Sequence, residues 1–161
     1  MRTIIAQPLS KDAFAPYGNF YDLLAPKGLG LGDFYPDRLQ LPVATNQPVG
    51  FSPLIAHRPE RYIVDTAEYH NYSGEFILPL NGSVIVHVAP PSNAKVPELT
   101  EAFIVPCGTV VQLHTGVWHY APLAIDRDIV NVLIGLPIRT YMTDACVLHY
   151  DETEQIEILL K

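Results

Sequence analysis

The sequence predicts an all-β fold, a sandwich or barrel built from short strands. Fifteen prolines and ten glycines are spread along the 161 residues, and they divide the chain into segments too short for a helical bundle. The segments between them are rich in Val, Ile, Tyr and Phe, the residues that strands favour. From residue 50 onward, turn residues recur roughly every 8 to 12 positions, a spacing typical of all-β folds.

The first third of the chain contains one predicted helix. Residues 10–15 form it, with Ser10 as the N-cap, and Pro16 and Gly18 end it. Residues 26–50 alternate between turns and short extended pieces. The glycines within residues 28–32 predict a loop and not a nucleotide cradle, because no strand precedes them and no helix follows.

Strands are predicted in close succession after Gly50. The apolar run at residues 76–80 meets Asn81-Gly82, a strong hairpin signal because both residues accept positive φ. Further strands are predicted at residues 83–88, 103–105, 109–114, 117–120 and 129–134. Residues 155–160 carry apolar side chains at alternate positions, which predicts one more strand there.

Length and charge limit the classes of protein to consider. The length suits a single domain, residues 1–161, with a sizeable core. A net charge of −7 argues against nucleic-acid binding, which needs a basic face. No segment approaches the roughly 20 apolar residues that cross a bilayer, and no signal peptide is predicted. Two cysteines, Cys107 and Cys146, make no disulfide framework and favour a reducing, cytoplasmic setting.

The first of two notable motifs combines acidic and histidine side chains. Glu68 and His70 stand two positions apart, and in a strand this spacing puts both side chains on the same side. Glu75 follows after four residues, and Gly82 comes six residues later. A second motif begins at Gly108, which is followed after five residues by residues 114–116.

The second motif ends at His119, which is separated from Gly116 by two residues. Both motifs resemble those of the cupin superfamily, except that Glu68 stands at the usual first His and His114 at the usual Pro. The resemblance implies an all-β double-stranded β-helix (cupin jelly-roll barrel) with one or two short helices. It also implies four metal ligands in the barrel mouth: Glu68, His70, Glu75 and His119.

The implied ligand set suits a divalent ion of borderline to hard character. Two imidazoles and two carboxylates fit Ni, Zn, Mn or Fe, and ligands on rigid strands leave positions open for water or substrate. Two carboxylates nearly neutralise such an ion, which weakens its Lewis acidity but helps to retain it. We expect metal affinity to fall in acid, as the ligands take up protons.

Flanking residues resemble the ureidoglycolate lyase family, also called ureidoglycolate hydrolase. The resembling segments are residues 7–18, 77–82, 102–105 and, most specifically, 113–123. The chain departs from the family at Glu75, where Gln is common, and at Asn71, where Pro is common. The resemblance implies a lyase that splits ureidoglycolate into glyoxylate and urea in purine (allantoin) breakdown, and it implies a homodimer.

The resemblance also suggests roles for individual residues. We expect the ion to chelate the 2-hydroxy acid part of the substrate, while His114 or a hydroxide on the ion takes the hydroxyl proton. Arg61 is a candidate to pair with the substrate carboxylate. Tyr120 is a candidate to donate a proton or orient urea, although alternation along a strand places it opposite His119.

Two other functions stay open at the level of sequence. A metal cupin with this ligand set could isomerise or epimerise a sugar, or could oxidise a small acid with iron and oxygen. Alternatively, the barrel could be a non-enzymatic module that binds a small molecule.

Overall fold

The computed structural model describes all 161 residues and contains fifteen strands, two short α-helices and one 3-10 helix. The helices are α1 (Lys11–Phe14) and α2 (Thr140–Thr143), and the 3-10 helix is Pro97–Leu99. In chain order the strands are β1 (Arg2–Ile5), β2 (Gln7–Pro8), β3 (Gly18–Asp22), β4 (Val49–His57), β5 (Tyr62–Val64), β6 (Thr66–Tyr69), β7 (Glu75–Pro79), β8 (Val84–Ala89), β9 (Glu101–Val105), β10 (Thr109–Leu113), β11 (Trp118–His119), β12 (Leu123–Ala124), β13 (Ile129–Pro137), β14 (Cys146–His149) and β15 (Ile156–Leu159).

Two sheets face each other and form the barrel. One has the order β3-β10-β7-β13-β4, and the other has the order β14-β6-β11-β8-β9-β2, with β12 also paired to β8. The chain passes repeatedly from one sheet to the other, as from β7 to β8 and from β9 to β10. This arrangement, with two short α-helices, confirms the predicted all-β jelly-roll barrel.

The main core fills the space between these two sheets. Ile77 and Val111 from one sheet and Val86 and Phe103 from the other are fully buried. Phe14 of α1 is also fully buried, and its ring contacts that of Phe103 edge-on, with 5.1 Å between centroids. The predicted helix is therefore confirmed, and its role is to close one side of the barrel.

A second core lies behind the β8 sheet. Its cover is a three-stranded sheet of order β1-β15-β5, whose Ile156 and Ile158 are buried on one face. As a result β8 is buried along its whole length: Val86 faces the main core and Ile85 the second core. The strand predicted near residues 155–160 is confirmed as the centre of this third sheet.

The hairpin predicted at Asn81-Gly82 is wrong. β7 and β8, which flank it, belong to different sheets, and neither residue has positive φ. Gly82 is needed for space, because a Cβ atom there would lie 2.7 Å from both Asp126 Oδ1 and Val130 Cγ2. The turn therefore carries the chain from one sheet across the barrel to the other.

Residues between β3 and β4 form a long loop, as predicted, with only two isolated bridges, Leu31–Phe34 and Val43–Ser73. Both cysteines are free. No helix has the length and apolar character needed to span a membrane.

Candidate metal centre

The four side chains of the implied ligand set meet at one end of the barrel. Glu68 lies on β6 and His119 on β11, and the two are directly opposite each other in an antiparallel pair. His70 immediately follows β6, and Glu75 begins β7. The candidate ligand atoms of Glu68, His70 and His119 all lie within 4.8 Å of one another.

Glu75 joins the two imidazoles. Its Oε2 lies 3.1 Å from His70 Nε2 and 2.9 Å from His119 Nε2. All three side chains are almost fully buried, whereas Glu68 is half-buried. This arrangement places one carboxylate oxygen between two ring nitrogens in a region shielded from water.

The outer nitrogen of each ring faces a backbone carbonyl. His70 Nδ1 lies 2.8 Å from the carbonyl oxygen of Asp144, and His119 Nδ1 lies 2.9 Å from that of Val117. Since a carbonyl oxygen can only accept, each Nδ1 carries the proton, and each Nε2 of a neutral ring presents a lone pair. Lone pairs that face a carboxylate oxygen require a proton or a cation between them, so the donor set fits a metal ion.

Electrostatics at the centre show how strongly these groups interact when no ion is bound. Burial raises the pKa of Glu75, but the charges and hydrogen bonds of His119 and His70 outweigh it and lower that pKa to about 2. Burial lowers the pKa of His119, yet Glu75 reverses this effect, and the net change is upward. The centre therefore attracts positive charge.

Neighbouring loops hold the ligands in position. The Gly116 amide donates to the His70 carbonyl oxygen at 2.9 Å, which ties the turn before His119 to the residue that follows β6. Gly116 has φ of 80°, a conformation that favours glycine. Gly74 lets β7 approach closely, because a Cβ atom there would lie 2.1 Å from the Leu113 carbonyl oxygen.

Asp144 fixes the loop after His70 from the other side. Its carboxylate accepts hydrogen bonds from the backbone amides of Asn71 and Tyr72, each at 2.9 Å. Since its own carbonyl oxygen accepts from His70, this single residue supports both the ring and the adjacent backbone. Sequence spacing gave no indication of this support, because Asp144 is more than seventy positions away.

A cavity of about 560 Å³ opens beside the ligands. Glu68, His70 and Glu75 lie at its wall, and Phe51, Leu54, Leu136, Ile138 and Tyr141 contribute apolar surface. This volume suits a small molecule, and the combination of apolar walls with a few convergent polar groups is typical of ligand sites.

Three residues with predicted roles do not line this cavity. Arg61 donates two hydrogen bonds of 2.9 Å to the Glu157 carboxylate on the outer sheet. His114 Nε2 lies 3.5 Å from Asn19 Nδ2, outside the cavity wall. Tyr120 is 38% exposed and, as alternation predicted, is not among the residues around the cavity.

One basic residue, Arg139, does line the cavity, and no sequence motif pointed to it. It directly precedes α2 and adopts left-handed φ and ψ of 65° and 13°. The one available signal was its isolation, because it is the only Lys or Arg between residues 128 and 160. Nothing in the local spacing connected it with the histidines.

Sequence comparisons with known proteins all point to one family. The family model described as ureidoglycolate lyase matches residues 1–156. A ureidoglycolate lyase of Pseudomonas syringae pv. tomato is 28% identical, with 99% of this chain and 96% of that protein covered. A ureidoglycolate lyase of Pseudomonas aeruginosa is 31% identical, with 79% of each chain covered.

Solved structures give weaker similarities. A dTDP sugar isomerase from Desulfovibrio desulfuricans G20 aligns with TM-score 0.47 and 15% identity, covering 86% of this chain and 85% of that one. A chain of oxalate decarboxylase aligns with TM-score 0.45 and 14% identity, covering 64% of this chain and 24% of that one.

Proposed function

Since the chain belongs to the ureidoglycolate lyase family, we propose that it is a metal-dependent carbon–nitrogen lyase. Its substrate is ureidoglycolate or a closely related ureido acid, and its products are glyoxylate and urea. Glu68, His70, Glu75 and His119 hold the divalent ion. The observation that carries the metal requirement is Glu75 Oε2 lying between two Nε2 atoms whose rings already donate through Nδ1.

The reaction needs two proton transfers. The hydroxyl of the substrate loses a proton as the carbon–nitrogen bond breaks, and the departing urea nitrogen gains one. A divalent ion bound to these ligands would lower the hydroxyl pKa and stabilise the developing alkoxide. The protein must therefore position the substrate, accept a proton and limit the access of water.

One oxygen of Glu68 would bind the ion, and its second oxygen can accept the hydroxyl proton. Glu68 belongs to the ligand cluster and lines the cavity. In contrast, Glu75 is buried and is already engaged by both imidazoles. The apolar side chains of Leu54 and Leu136 at the cavity wall restrict water around the reacting groups.

The test is an assay of defined metal forms. Protein loaded separately with Ni, Zn, Mn or Fe is incubated with racemic ureidoglycolate, and we expect equal amounts of urea and glyoxylate with at least one ion. His119→Ala should lose both metal and turnover. The control His57→Ala should keep both, because His57 is an exposed residue of β4 that does not line the cavity. Turnover no faster than uncatalysed decay with every ion would refute the lyase proposal, and oxygen uptake by the iron form would favour an oxidase.

We further propose that the protein is a homodimer. β4 is an edge strand, and its outward side chains Phe51 and Ile55 are 64% and 58% exposed. A long edge strand with exposed apolar residues favours pairing with another chain. Sedimentation should give twice the monomer mass, and Ile55→Glu should lower it; a wild-type monomer at micromolar concentration would contradict the proposal.

We also propose a cytoplasmic location, supported by the two free thiols and the reducing conditions that preserve them. Cell fractionation would test it, and recovery of the protein outside the cytoplasm would contradict it.

A further inference from the structure

The charge balance of the centre leaves the substrate carboxylate in need of a cation. Glu68 and Glu75 carry two negative charges when ionised, and these formally cancel the charge of a divalent ion. The substrate of the proposed lyase, on which this inference rests, carries one more carboxylate. A further positive group at the cavity would stabilise that anion.

Arg139 is the one Lys or Arg among the sixteen residues that line the cavity. It makes no ion pair, and its side chain donates no hydrogen bond within the protein. Arg58 and Arg61, in contrast, pair with Asp128 and Glu157 and lie away from the cavity. The Arg139 guanidinium is therefore uncommitted, and Arg139 lines the same cavity as Glu68, His70 and Glu75.

The backbone of Arg139 is held in an unfavourable conformation by its surroundings. An arginine with φ of 65° lies in the left-handed region that L-residues other than Gly, Asn and Asp rarely adopt. Its carbonyl oxygen accepts hydrogen bonds from the Met142 amide at 2.8 Å and from the Thr143 amide and hydroxyl at 3.0 Å each. Non-glycine residues in this left-handed region cluster at functional sites.

We propose that Arg139 binds the carboxylate of the substrate at the cavity and thereby selects anionic substrates. The planar guanidinium can donate two parallel hydrogen bonds to a carboxylate. Arg139 is exposed, as are its cavity neighbours Ile138 and Tyr141, so its guanidinium is accessible to an incoming anion.

The test compares a charged ligand with an uncharged one. Glyoxylate and its amide, glyoxylamide, are titrated calorimetrically into metal-loaded wild-type protein, Arg139→Met and Arg139→Lys. We expect Arg139→Met to weaken glyoxylate binding on the order of 10- to 100-fold, the range for a charge-assisted pair, with little effect on the amide. Arg139→Lys should recover part of the loss. Arg127→Met, at an exposed position outside the cavity, should match the wild type.

Kinetics and metal content separate this role from a structural one. In Arg139→Met, KM for ureidoglycolate should rise more than kcat falls, and bound metal should be unchanged. Equal weakening of both ligands, or no charge preference in the wild-type protein, would overturn the proposal. If wild-type protein failed to split ureidoglycolate, the lyase proposal would fail, while the glyoxylate and glyoxylamide titrations would still decide the role of Arg139.

Discussion

Substitution of Glu75 by Gln in metal-free protein should remove a pH-dependent part of the stability. The Glu75 carboxylate is buried between His70 and His119. Gln has nearly the same shape but no charge, so it keeps the packing and loses the ion pairs. We expect the metal-free variant to be less stable than the wild type, and to be so mainly between about pH 4.5 and 6.5.

The magnitude follows from the pKa of Glu75, which falls from 4.5 to about 2 on folding. Each unit of pKa difference corresponds to about 1.4 kcal/mol, so the charged carboxylate contributes about 3 kcal/mol. Because the folded pKa is depressed, this contribution is present above pH 4.5 and is lost as pH falls toward 2.

The partner histidine sets the alkaline limit. The pKa of His119 is raised above 6.5, so its contribution is complete below pH 6.5 and is lost as pH rises through the raised pKa. Both contributions are complete only between about pH 4.5 and pH 6.5. The difference between Glu75→Gln and wild type should therefore be largest near pH 5.5 and smaller at pH 9 and pH 2.

The assay is urea unfolding of chelator-treated protein at pH 5.5 and pH 9. Glu60→Gln serves as the matched control, since Glu60 is exposed and has no ion-pair partner, and it should change the free energy of unfolding at neither pH. An equal loss for Glu75→Gln at both values would refute the reasoning, because it would show that packing and not charge sets the effect.

Metal affinity should fall as pH decreases through the raised pKa of His119, because the ion must displace a proton from the ring; titration of the ion at pH 8 and pH 5.5 measures this, and constant affinity would contradict it. Asp144→Ala should weaken metal binding by about 10- to 100-fold, since it releases the loop that supports His70. Equilibrium dialysis measures this affinity, and an unchanged value would contradict the supporting role of Asp144. Ile77→Ala should lower the free energy of unfolding by about 2–5 kcal/mol, because Ile77 is fully buried. Leu29→Ala, at a position that is 91% exposed, should lower it far less. Similar losses for the two variants in urea unfolding would count against the assigned core.

Short sequence patterns predicted the elements that depend on residues close together in the chain. Ser10 marks the start of α1, where its side chain accepts from the Ala13 amide at 3.3 Å, and alternation predicted β15. The convergence of Glu68, His70, Glu75 and His119 was implied by the resemblance of the two motifs to those of the cupin superfamily.

Features that depend on distant partners could not be read in this way. Asn81-Gly82 has the composition of a hairpin turn, yet β7 pairs with β10 and β13, and those strands decide its sheet. The left-handed conformation of Arg139 could not be anticipated, because arginine has no intrinsic preference for it. The ion pair between Arg61 and Glu157 could not be read from local sequence either, because the two residues are ninety-six positions apart.

The pairing of β1 with β15 has a consequence for how the protein is made. Arg2 lies opposite Ile156, so residues at the two extremes of the sequence share one sheet. Residues 156–159 are synthesised long after β1 and β5, and until they pair, β1 and β5 lack the strand that lies between them. Until then the face of β8 that carries Ile85 lacks part of its cover, so a partly synthesised chain should expose apolar surface there.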